Sequence, residues 1–124
     1  VTTIGVAALA TIAVPLTAVT LVRQSQMDAS SGDLNAAQSK ALAAQKVQPS
    51  AASPYLQEAL VAELQGDLRR AAKAARTATV NEPTNWRTWL VLSRIQAELN
   101  QVNKSISTYQ RARSLNPRSQ LFTK

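Results

Sequence analysis

The first charged residue of the chain is Arg23; Val1 to Val22 carry none. Beyond this stretch the pattern changes. Apolar side chains return at spacings of three and four, interrupted by short polar breaks containing Gly, Asn or Pro. Tyr55, Leu56, Ala59, Leu60, Ala62 and Leu64 share one helical face, as do Trp89, Leu90, Leu92, Ile95 and Leu99. No run alternates as a half-buried strand would. The pattern predicts an all-α chain with helices near 34–47, 54–65, 68–81, 87–99 and 102–115. The one true loop is the segment Pro49 to Pro54.

The charge-free stretch is long enough to matter. At 1.5 Å per residue, residues 1–22 as a helix reach roughly 33 Å, the thickness of a hydrocarbon core. A segment in lipid must pair every backbone N–H internally, which requires a helix. Thr2, Thr3, Thr11, Thr17 and Thr20 dilute the apolarity, but their hydroxyls bond back to the preceding turn. Pro15 predicts a kink of the kind membrane helices tolerate. The stretch is too long for a signal peptide and lacks a basic segment before it. The expectation is a transmembrane helix over residues 1–22, a lipid bilayer as its partner, and a membrane location. The chain begins with Val and not Met, which reads as a processed form or a piece of a longer product.

The remainder repeats. Pro49, Pro83 and Pro117 stand 34 residues apart, and so do Gly32, Gly66 and Asn100. Further columns at this spacing are Ala37, Ala71 and Ser105; Ala44, Ala78 and Ala112; and Tyr55 with Trp89. Each column has a physical task. Gly or Asn supplies the positive φ that ends one helix, and the Asp after Gly caps the next. Ala lets two helices approach closely, and Pro stops the second helix of each unit. This pattern resembles the tetratricopeptide repeat, a helix–turn–helix unit of about 34 residues. In the last unit Trp89, Leu92, Asn100, Ser105, Tyr109, Ala112 and Pro117 fall on that family's positions. In the middle unit Tyr55, Ala59, Gly66, Ala71, Ala78 and Pro83 do. Glu58 and Ala75 depart from it, where the family carries Leu and an aromatic, and predict a looser helix pair. The resemblance implies a helical solenoid over residues 23–124, with units at about 18–51, 52–85 and 86–119. The first helix of the first unit would be the end of the span itself, running through Arg23 to about Ser30 and turning at Gly32. No capping helix follows Pro117, which leaves the last helix bare on one side or covered by a partner.

Composition removes most chemistry. There is no Cys and no His, so thiol catalysis, disulfides, imidazole bases and the usual zinc sites are absent. Ser39 and Lys40, the nearest approach to a catalytic dyad, point about 100° apart on a helix. The expectation is a non-enzymatic module without cofactor or metal. The formal charge is +7, from 14 basic against 7 acidic residues. Arg69, Arg70, Lys73 and Arg76 form a basic stripe, suited to a solvated face or to anionic lipid; nucleic acid is not expected, for want of interleaved aromatics. Trp89 is expected in the core, Trp86 half exposed at a helix start.

The tetratricopeptide resemblance further implies that first helices line a concave groove. Leu56, Leu60, Glu63, Arg87, Leu90, Arg94 and Ala97 would then face a bound protein or peptide segment. Two guanidinium groups in an apolar groove suit an acidic or C-terminal carboxylate ligand. The family's two-carboxylate clamp is not reproduced, because Leu56 and Leu60 stand at its Lys and Asn positions. These features imply a membrane-anchored scaffold. A second resemblance is weaker. The run Asn85-Trp86-Arg87-Thr88-Trp89 and the tail Leu115 to Phe122, after an apolar span, are similar to the C-terminal end of bacterial O-antigen ligase-type membrane proteins. That resemblance implies an accessory tail, in a bacterial inner membrane, of a glycan transferase whose active site lies upstream.

Overall fold

The computed structural model describes residues 17–123. Six helices follow one another: α1 over residues 17–30, α2 over Leu34–Val47, α3 over Ser53–Leu64, α4 over Leu68–Asn81, α5 over Trp86–Glu98 and α6 over Val102–Leu115. They pair in sequence, α1 with α2, α3 with α4 and α5 with α6, as three units of one pattern of helix, tight turn, helix and Pro linker.

The tight turns are identical in construction. Gly32, Gly66 and Asn100 carry φ of 88°, 81° and 60°. At each, two backbone bonds close the helix end. Asp33 N–H reaches Asp28 O, Asp67 N–H reaches Ala62 O, and Gln101 N–H reaches Gln96 O, all at 2.9 Å. This is the glycine-type C-terminal motif that satisfies carbonyls otherwise left open. The next residue starts the following helix: Asp33 accepts from Ala36 N–H and Asp67 from Arg70 N–H, both at 3.1 Å. Gln101, at the third turn, makes no such cap.

The linkers repeat as well. Gln48, Glu82 and Asn116 each precede a Pro and share one non-helical conformation, with φ of −133°, −134° and −146° and ψ of 77°, 76° and 66°. The Pro ring denies the preceding residue the helical region, so each second helix stops there. Neighbouring linkers are tied together. Asn81 donates its side-chain amide to Pro49 O and Ala51 O, and Glu82 accepts from Ala52 N–H at 2.6 Å.

The core is built from alanine. Ala37, Ala41, Ala44, Ala59, Ala62, Ala71, Ala72, Ala75, Ala78 and Ala112 are fully buried, and Val61, Leu92 and Ile95 supply the larger side chains. Small residues let helices close on one another, and the apolar volume comes from the neighbour. The middle pair is therefore not loose. Leu92 and Ile95 of α5 pack into the room left by Ala72 and Ala75. Glu58, on the other side, is met by Gln45 Nε2 and lies 4.0 Å from Arg70. Between the first two units the core turns polar: Ser25 is fully buried, donates to Ala37 O at 2.7 Å, and accepts from Gln57 Nε2 at 3.0 Å.

The helix α1 continues through Arg23 to Ser30 before its turn. Ala18 is only 2% exposed, and with Val22 it borders a hollow against Gln48, Ala51 and Pro54. Residues 17–22 thus belong to the first repeat unit. The rest of the expected span, residues 1–16, lies outside the described residues. Among the described residues no helix is long and apolar enough to cross a membrane.

Candidate docking surfaces

First helices touch one another and second helices do not: α3 contacts α5, whereas α2, α4 and α6 make no mutual contact. A stack joined along one side only must curve toward that side, so α1, α3 and α5 form the concave face. A hollow of about 300 Å³ lies between α1 and α3, bordered by Gln26, Ala29, Ser30, Gln57, Leu60, Val61, Glu63 and Leu64. Leu64 is largely exposed at its rim.

Beside it stands an ion pair that spans two units. Arg94 of α5 grips Glu63 of α3 with two bonds, Nη2 to Oε1 at 2.7 Å and Nε to Oε2 at 3.2 Å, and has Glu98 at 4.0 Å. Partial burial alone would raise the Glu63 carboxyl, but hydrogen bonds with Glu98 and Arg94, and the charge of Arg94, bring it below its ordinary value. Glu98 moves the opposite way. Its hydrogen bond with Glu63, some desolvation and the neighbouring negative charge lift it above 4.5, against the pull of Arg94.

This geometry revises the groove expected from sequence. Arg94 is not a free guanidinium, because Glu63 neutralises it. Arg87 is exposed and its guanidinium lies 4.9 Å from the centre of the Trp86 ring, its own neighbour. The two cations therefore do not converge on one point. Leu60 and Glu63 border the hollow between α1 and α3, and Leu56 is half-buried on the same helix. Leu90, Arg94 and Ala97 border a different hollow, of about 730 Å³, whose other wall is α6 with Ser105, Ile106, Tyr109, Gln110 and Arg113. The sequence pattern assigned Ser105 and Tyr109 to the repeat but to no groove; Ser105, Ile106, Tyr109 and Arg113 each stand 34 positions after a buried residue of α4.

On α4, Arg69, Lys73 and Arg76 are exposed, and the shared face expected from their spacing holds. Arg70 does not belong with them. It is half-buried, 3.4 Å from Asp67 and 4.0 Å from Glu58, with a further bond to Gln65. One step along a helix turns a side chain by about 100°, which carries Arg70 toward the unit interior. Ser39 and Lys40 do not meet; Lys40 pairs with Asp28 at 2.6 Å.

Neither Trp sits in the core. Trp89 is half-buried, donates Nε1–H to Pro83 O at 2.8 Å, and has Arg111 5.8 Å from its ring centre. Trp86 is likewise half-buried and meets Phe122 edge-on at 5.8 Å. Phe122 also meets Tyr109 at 5.3 Å, and is 7% exposed. The tail after Pro117 thus folds back in two turns and partly covers the last unit, which sequence reading did not anticipate. The available signal was register: Phe122 follows the fully buried Thr88 by 34 residues.

No protein-family model matches the chain, and no curated protein is similar to it in sequence. Its fold is similar to solved tetratricopeptide domains. The first such domain of human RPAP3 superimposes with a TM-score of 0.80 at 14% identity, over 88% of this chain and 86% of that one. The second such domain of Spaghetti (RPAP3), bound to the HSP90 peptide SRMEEVD, gives 0.74 at 11%, over 81% and 93%. The Yersinia enterocolitica type III secretion chaperone SycD, in complex with a peptide of the translocator YopD, gives 0.75 at 14%, over 83% and 79%. The described residues, 17–123, form six α-helices in a solenoid whose fold is that of tetratricopeptide domains. Nothing in these comparisons supports the O-antigen ligase resemblance.

Proposed function

We propose that the chain is a non-catalytic protein-interaction module that holds a partner's peptide segment against the concave face of α1, α3 and α5. The observation that carries this is the hollow bordered by Leu60, Val61 and Leu64, with the Glu63–Arg94 pair beside it. It is apolar, open, and made by rigid elements, which suits side-chain recognition of an extended or helical segment. That two similar folds hold peptides, of HSP90 and of YopD, is consistent with it. Because Arg94 is already paired, aliphatic side chains and not acidic ones are the expected anchors in this hollow.

Selection from a displayed peptide library tests this. The expected result is a consensus with two aliphatic residues, and loss of affinity by about tenfold or more in Leu60→Glu, since a buried unpaired carboxylate costs more than 1.4 kcal/mol. Enrichment that Leu60→Glu leaves intact would contradict it.

A second reading concerns anchoring. We propose that the charge-free stretch 1–22, whose residues 17–22 also open α1 of the first unit, fixes the module to a membrane, and that exposed Arg69, Lys73 and Arg76 rest on anionic headgroups. The support is the composition of that stretch and the exposure of those three cations. Flotation with phosphatidylserine vesicles should weaken in the triple Ala variant and at high salt.

A further inference from the structure

The last unit ends in a seat that the earlier units fill. In the middle unit Ala59, Ala71, Ala72 and Ala75 are all fully buried, in one cluster with Leu92 and Ile95 of α5, which lies on the α3–α4 pair. Adding 34 to each gives Ser93, Ser105, Ile106 and Tyr109, on α5 and α6. Ser93 stays buried and Ser105 half-buried, but Ile106 is 52% exposed and Tyr109 39%, so these two register positions are bare where no first helix follows among the described residues. At one end the seat is already started: Phe122 stands where Thr88 stands one unit earlier, and packs on Trp86 and Tyr109. Beyond it the seat continues over Leu90, Ala97, Ile106 and Arg113 as an open hollow.

Size and charge define what fits. Large residues, Ile106 and Tyr109, replace Ala72 and Ala75, so the occupant must be small where α5 is large. The surroundings are cationic. No acidic residue follows Glu98, whereas Lys104, Arg111, Arg113, Arg118 and Lys124 do, and no ion pair among the described residues involves Lys104, Arg111, Arg113 or Arg118. A second copy placed face to face would set the unpaired Arg113 of each copy into one shared interface, a like-charge arrangement that opposes association. We propose that the α5–α6 end takes an acidic amphipathic helix from a partner protein, with alanine-sized residues on its contact face and a carboxylate toward Arg113. This surface shares α5 with the concave groove proposed above, but its other wall is α6, so substitutions there test it alone.

The probe is a hydrocarbon-stapled helical peptide copying residues 86–99, the helix that occupies the preceding seat. It carries Leu92→Ala and Ile95→Ala to suit the larger seat, and Arg87→Glu and Arg94→Glu to supply acid. Its control keeps both arginines. Binding to the full chain is read by fluorescence anisotropy, and oligomeric state by sedimentation. The acidic peptide is expected to bind at least tenfold tighter than the control. Ile106→Glu and Arg113→Glu should each weaken it by about tenfold, whereas Leu60→Glu should leave it unchanged. Both α6 residues are exposed in the chain, so these variants keep the helical circular dichroism of the parent. Equal binding of the two peptides, no binding, or binding insensitive to both α6 variants overturns the proposal. A dimer of the chain alone that Ile106→Glu dissolves overturns it too, by assigning the seat to a second copy.

Discussion

Gly32, Gly66 and Asn100 hold the same backbone position with unequal comfort. A Cβ at either glycine would meet nothing within 4 Å, so only the positive φ restricts these sites. Gly66→Ala is therefore expected to cost about 1–2 kcal/mol through backbone strain alone. Asn100→Gly relieves a smaller strain and should stabilise by up to about 1 kcal/mol, read as a raised urea midpoint with an unchanged slope. These residues, and the aspartates that cap α2 and α4, were fully legible in the sequence, because their tasks are local and recur at a fixed spacing. Side-chain partnerships between units were less so. Glu63 and Arg94 stand 31 apart, three short of the repeat, which places them on facing first helices. Treating both as ligand contacts overlooked that they neutralise each other.

Helix packing here depends on what each element lends its neighbour. Ile95 is fully buried in an alanine bed, and Ile95→Ala should cost roughly 2–5 kcal/mol in chemical denaturation, since alanines cannot move in to fill the cavity. The α3–α5 contact adds a pH signature. Glu63 has a lowered pKa, so its contribution is present above its ordinary value and is lost as acid carries the pH through the folded pKa. Glu98 has a raised pKa, so its contribution is present at low pH and is lost as pH rises through that value. The two slopes oppose each other near 4.5. Arg94→Gln removes two of the interactions that lower Glu63 and the one that lowers Glu98, so stability should fall less steeply between about pH 5 and pH 3 than in the parent, as read by urea midpoints. Helix boundaries were legible to within a residue. The looseness expected of the middle pair was misjudged, because Ala75 was read within its own unit, and the residues that cover it belong to the next.

For the molecule as a whole, repetition decides both shape and surface. Curvature follows from first helices touching where second helices do not, and it leaves one concave face and one end seat. The first was anticipated through family resemblance. The second required burial to be seen, since only exposure separates Tyr109 from its fully buried counterpart Ala75. The composition is uneven: acids occur at intervals through Glu98 and not after it, so the C-terminal unit is the cationic end. On the proposed function, the concave face receives a peptide segment. The most direct test is to titrate the isotopically labelled chain with a selected peptide and follow backbone amide shifts. Shifts are expected to cluster on α1, α3 and α5, greatest near Leu60 and Leu64. Shifts confined to α2 and α4 would contradict it.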